Sequence, residues 1–136
     1  MTRSALFAVL LAASLASAAF AEAVPFDNSW KTQRFSLFSA NKYRFGGNAL
    51  SIASDGTVSL AYTRVEVALW GAKSAGWSWA VGQSVPATDL TKKGGDDRNA
   101  SLYFVFLPEA EAIALGARAD VRKLLTSNSA RVLVYV

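Results

Sequence analysis

Two adjacent carboxylates, Asp96 and Asp97, stand inside the polar run Lys92-Lys93-Gly94-Gly95-Asp96-Asp97-Arg98 and are the most chemically suggestive residues of the chain. A pair of acids can divide general acid and general base roles or hold a hard cation, with Arg98 or Lys93 steadying an anionic substrate. Glycoside hydrolysis needs its carboxyls about 5 Å or about 6.5 to 9.5 Å apart across the substrate, and neighbouring residues seldom face one gap that way. A solvated turn whose aspartates bond nearby backbone N–H groups is therefore the first reading, with ligand or cation contact second and catalysis third. No catalytic residue, metal ligand or cofactor is assigned. The chain has no cysteine and no histidine, which removes zinc fingers, Ser-His-Asp and Cys-His nucleophilic sites and H-E-x-x-H metalloproteases.

Trp77 and Trp79 form the second candidate. On a strand, residues two apart share a face, so both indoles could offer a flat platform for sugar rings. The competing reading is core, since large rings contribute heavily to apolar burial. Gly71-x-x-x-x-Gly76 has the glycine spacing of a phosphate-binding loop but is followed by Trp77 and Ser78, where that loop requires Lys and then Ser or Thr. Asn99-Ala100-Ser101 matches the glycosylation sequon and matters only in a host that glycosylates exported proteins. The net charge is +4 and the sequence pI about 9.6. Lys92-Lys93 and Arg122-Lys123 are the only adjacent cation pairs, so the basicity is scattered and no nucleic-acid partner is expected.

The elements that must position these residues begin after Met1–Ala21. That stretch has Arg3 near its start, an apolar run from Leu6 to Leu15 and small residues around Ala19-Phe20-Ala21. It is the pattern of a secretory signal peptide cleaved after Ala21, which predicts a periplasmic or extracellular protein without a membrane span. From residue 22 to 136 one domain is expected. Asn41, Gly46-Gly47-Asn48, Asp55-Gly56, Gly71, Gly76 and Gly82 separate short segments rich in aromatic and β-branched residues, the punctuation of antiparallel β structure. Trp30–Phe38, Tyr43–Phe45, Ala49–Ala53 and Val58–Tyr62 are predicted strands, the last two forming a hairpin across Ser54-Asp55-Gly56. Trp77–Val81 is a further strand by its alternation. Gly82–Ala100 is the longest polar stretch, and Leu102–Leu107 is expected to be a central strand buried on both faces. Pro108 to Gly116 has the proline, first-turn acids and terminal glycine of a short helix, which also account for Glu109 and Glu111. Asp120 can cap a second one through Leu125.

Trp77-Ser78-Trp79, Gly94-Gly95-Asp96-Asp97-Arg98, Tyr103-Phe104-Val105-Phe106 and Val132-Leu133-Val134-Tyr135-Val136, in that order, resemble the bacterial exported family known as domain of unknown function 3047. The resemblance runs from about Trp30 to Val136. It implies an exported β-sandwich and brings no activity with it. Members of that family continue into further strands, and Arg131–Val136 has the composition of an interior strand; together these lead to the expectation that the chain is cut short of its parent fold.

The fold expected is all-β, an antiparallel sandwich of jelly-roll type with one or two short helices, the alternative being α+β with the Pro108 helix across one sheet. The function expected is a non-catalytic binding module for envelope or extracellular glycan, with Trp77, Trp79, Asp96, Asp97 and Arg98 as contacts. A carboxylate-dependent hydrolase is the competing enzyme class. The third class is an interaction protein that assembles through Val132–Val136, because an apolar strand with an unpaired edge recruits another strand.

Overall fold

The computed structural model describes residues 22–89, 91–95, 97–116 and 120–136. The segment read as a signal peptide lies outside the described residues, as does Asp96. The regular structure of the described chain is mostly strand, arranged in three small antiparallel sheets with two short helices: β1 Lys31–Arg34, β2 Lys42–Phe45, β3 Leu50–Ala53, β4 Ser59–Tyr62, β5 Leu102–Phe106, α1 Glu109–Leu115, α2 Val121–Leu125 and β6 Arg131–Tyr135. Among the described residues no helix is long and apolar enough to cross a membrane.

The first four strands nest. β2 alternates exposed Lys42 and Arg44 with half-buried Tyr43 and Phe45, the period of a strand with one covered face. It turns back through Gly46-Gly47-Asn48 into β3, with Phe45 opposite Leu50 and Lys42 opposite Ala53. The turn closes by the Gly46 N–H donating to the Ala49 carbonyl at 2.9 Å, and Gly47 at φ +73° supplies the left-handed residue it requires. β1 and β4 pair outside this hairpin, Lys31 opposite Tyr62 and Arg34 opposite Ser59.

This corrects the expected pairing of Ala49–Ala53 with Val58–Tyr62. Ser54-Asp55-Gly56 does bend the chain, with Ser54 Oγ donating to the Thr57 carbonyl at 2.8 Å, but it is a corner between two ladders. A polar knot holds that corner. Thr57 Oγ1 donates to Asn41 Oδ1 at 2.7 Å, the Asn41 N–H donates to Ser59 Oγ at 2.9 Å, and the Tyr43 hydroxyl lies 3.0 Å from the same Ser59 Oγ. These bonds fasten the start of β4 to the start of β2 and leave β4 facing β1. Ser59 is buried, and the bonds satisfy its hydroxyl.

An aromatic row runs along the same region, Phe26 to Trp30 at 4.9 Å, Trp30 to Phe45 at 6.2 Å and Phe45 to Tyr43 at 6.3 Å between ring centroids. The Trp30 indole N–H is satisfied by the Pro25 carbonyl at 2.8 Å.

Both helices start where the sequence places them, after Pro108 and after Asp120, and the Gly116 N–H closes α1 on the Ile113 carbonyl. Asp120 accepts from the Arg122 N–H at 3.0 Å as the cap of α2. The helix is joined to β1 by the Gln33 amide, whose Nε2 donates to Asp120 Oδ1 and whose Oε1 accepts from the Val121 N–H, both at 3.3 Å. Val121 is the one buried apolar side chain among the described residues. The three ladders are accordingly held by backbone hydrogen bonds, ring contacts and polar cross-links.

Candidate functional site

β5 and β6 form a two-stranded ribbon with Leu102 opposite Tyr135, Phe104 opposite Leu133 and Phe106 opposite Arg131. Pleating places Leu102, Phe104, Phe106, Leu133 and Tyr135 on one face and Tyr103, Val105, Val132 and Val134 on the other. Both faces are partly open, with Tyr103, Phe106, Leu133, Val134 and Tyr135 all exposed. This corrects the expectation that Leu102–Leu107 is buried on both sides, since β5 has one strand neighbour and too little packs against either face of the ribbon to cover it.

Trp77 covers part of the first face. Its ring sits 5.6 Å from Phe104 and 4.7 Å from Tyr135, edge-on to the latter, and Phe104 meets Tyr135 at 6.0 Å with perpendicular planes. Tilted and edge-to-face geometries are those the ring quadrupoles favour. Trp77 is nevertheless 42% exposed, and Trp79 is 49% exposed, with no ring partner among the described residues. Residues 77–81 join no ladder, so the predicted strand is absent. The alternation of Trp77, Ser78 and Trp79 provides one anchoring ring on the ribbon without recruiting a strand partner. Phe104 and Tyr135 are the site residues that sequence reasoning missed. The same-face periodicity of Leu102, Phe104 and Phe106 was their signal, but nothing local brings Tyr135 to them.

The polar loop between Trp79 and β5 closes on itself. Asp89 Oδ1 accepts from the Thr91 N–H at 3.0 Å and the Thr91 hydroxyl at 2.6 Å, while Lys92 Nζ stands 3.5 Å from Asp89 Oδ2. The Thr91 hydroxyl, then the Thr91 N–H, hold the Asp89 carboxyl below the ordinary aspartate range, with a smaller contribution from Lys92. The Lys92 N–H donates to the Asp89 carbonyl and the Gly95 N–H to the Lys92 carbonyl, both at 3.0 Å. Thr88 Oγ1 donates to the Gly95 carbonyl at 2.6 Å. Gly95 is buried so tightly that a Cβ there would stand 1.9 Å from the Asp89 carbonyl oxygen. Asn99 Oδ1 ties the base of the loop by accepting from the Val85 N–H at 2.8 Å.

Among the described residues of this loop, the aspartate that accepts from a backbone N–H is Asp89. Asp97 and Arg98 are exposed and form no hydrogen bond or ion pair with another described residue. Among the described residues no three carboxylates converge as a protein-built cation site would require. What the arrangement offers chemically is an anchored indole, a second free indole and a pinned polar loop ending in unpaired charges.

The family profile described as Protein of unknown function (DUF3047) matches residues 28–136. No curated protein and no solved structure matches the chain.

Proposed function

This chain belongs to the DUF3047 family of proteins of unknown function, and we propose that it acts as an exported, non-catalytic binding module for envelope or extracellular glycan. We propose further that its nested ladders are parts of one antiparallel sandwich of jelly-roll type. The observation that carries the binding reading is the division of labour between the two indoles. Trp77 is braced by Phe104 and Tyr135, while Trp79 keeps about half its surface free and has no ring partner among the described residues. An amphipathic indole held open beside an apolar ribbon is suited to stack on the C–H face of a sugar ring, with polar side chains of the loop, Asp96, Asp97 and Arg98 among them, meeting its hydroxyls.

The test is a glycan array followed by titration of any hit against intrinsic tryptophan fluorescence. Trp79→Ala is expected to weaken binding at least tenfold with an unchanged circular dichroism spectrum, and Trp77→Ala to lower stability as well. Absence of any binding glycan, or equal binding by Trp79→Ala, overturns the reading.

The β5–β6 ribbon favours a second reading, assembly through the Val132–Val136 strand. Arg131–Tyr135 pairs with β5 along one edge and has no strand partner among the described residues on the other. Strand addition would satisfy that edge and cover part of the apolar faces. Light scattering of the purified protein decides it: a monodisperse monomer excludes this assembly.

A further inference from the structure

The seam between β1 and α2 makes a cationic cleft that the glycan reading does not use. Arg34, Phe35, Ser36 and Leu37, which end and follow β1, line it together with Arg122 of α2, enclosing about 460 Å³. The two arginines are 88 residues apart in the chain and meet because the Gln33 amide binds both Asp120 and the Val121 N–H, fixing helix to strand beside the cleft. Arg122 is itself pinned. Its Nη2 donates to the Arg34 carbonyl, and its guanidinium lies 5.0 Å from the centroid of the Phe35 ring.

That geometry occupies one nitrogen and one face of the Arg122 fork and leaves its other N–H donors for a ligand. The Arg34 side chain forms no hydrogen bond or ion pair with a described residue. Among the described residues no acid lines the cleft. The nearest acid in sequence, Asp120, is committed to the Gln33 amide and the Arg122 N–H on the helix cap. The Arg122 guanidinium, held before a ligand arrives and neutralised by no described carboxylate, presents planar donors of the kind that tetrahedral oxyanions accept in bidentate fashion, and Arg34 lines the same cleft.

We propose that the Arg34–Arg122 cleft binds an oxyanionic group of the phosphate or sulfate-ester kind. The site is independent of Trp77 and Trp79, so it stands or falls apart from the glycan reading.

Side-chain N–H resonances of the arginines, followed by nuclear magnetic resonance during titration with inorganic phosphate at ionic strength held constant with chloride, give the test. Saturable shifts at Arg34 and Arg122 are expected. Arg34→Gln should weaken phosphate binding about tenfold, and Arg34→Lys should restore part of it. Arg122→Gln removes the bond to the Arg34 carbonyl and can disturb the seam, so Arg34→Gln, at a side chain that forms no hydrogen bond or ion pair with a described residue, is the deciding variant. A second arm with a sugar phosphate and a sulfated sugar separates a free anion from an esterified one: tighter binding of an ester identifies the ester as ligand, and equal binding identifies the inorganic ion. Shifts spread over all cations alike, or unchanged phosphate binding by Arg34→Gln, would overturn the proposal.

Discussion

The nested strands β1 to β4 with α2, and the β5–β6 ribbon with the loop before it, are stabilised in opposite ways. In the first region the cross-links are many and individually weak: the Asn41, Tyr43, Thr57 and Ser59 knot, the row from Phe26 to Tyr43, and the Gln33 amide between β1 and α2. In the second they are concentrated at Trp77, which bridges Phe104 and Tyr135, and at Gly95, which lets the loop close. Distributed polar links tolerate the loss of one member because neighbours and water take up its partners. A single ring or a single glycine has no substitute. The lesson is that candidate binding residues lie where the structure has least redundancy.

The sharpest way to break this comparison is Gly95→Ala. The added methyl would collide with the Asp89 carbonyl oxygen at 1.9 Å, so the Thr88–Gly95 turn must open, at a cost of about 3 kcal/mol in the overpacking range. Chemical denaturation should show the loss, and hydrogen exchange should show it confined to the loop and ribbon. Trp77→Ala comes next, at about 2 kcal/mol, a value below that of a fully buried tryptophan because the ring is 42% exposed. Protection of β5 and β6 amides should fall while that of β2 and β3 is retained.

Gln33→Ala is expected to cost only about 1 kcal/mol, since its bond to the Asp120 carboxylate is solvent-exposed and long at 3.3 Å and its bond from the Val121 N–H is an ordinary neutral one. If it destabilises the chain more than Trp77→Ala, the contrast between the regions is wrong. The smallest effect is that of acid. The Asp27 carboxyl is lowered chiefly by the Ser29 side chain, that of Asp89 chiefly by the Thr91 hydroxyl and that of Asp120 chiefly by the Gln33 amide. A lowered folded-state value means that the stabilisation is present above the ordinary aspartate value of 3.8 and is lost as pH falls through the still lower folded-state values. Denaturation midpoints measured from pH 5 down to about pH 2 should decline only below pH 4, and Gln33→Ala should flatten the part due to Asp120. All three carboxyls are solvent-exposed, so the decline should be shallow.

Much of the local architecture was legible in the residues. Lys42 to Phe45 alternates as a half-covered strand, Gly46-Gly47-Asn48 carries a turn, Pro108 and Gly116 bracket α1, and Asp120 caps α2. Each of these is decided by groups within a few positions of one another. The candidate site was legible only as residue types. Trp77 and Trp79 looked equivalent by alternation, yet one is braced and the other is free. In the polar loop the residues also pointed to a turn at Asp96-Asp97, of which Asp96 lies outside the described residues; Asp89, adjacent to no other acid, is a described aspartate that accepts from the Thr91 N–H and hydroxyl.

The sequence by itself therefore determined most of the stretches that extend, though not Trp77–Val81, together with where the chain bends and which helix ends are satisfied, because propensity, alternation and capping act over one or two turns of backbone. Only the tertiary structure decided which strand edges meet. Ser54-Asp55-Gly56 is compatible with a hairpin or with a corner, and the Asn41 and Ser59 bonds, formed across 18 residues, select the corner. Gln33 meeting Asp120 across 87 residues, and Tyr135 meeting Trp77, are likewise outcomes of long-range contact. Strands of similar composition compete for the same edges, and the winner is set by side-chain bonds between distant segments that no local pattern encodes.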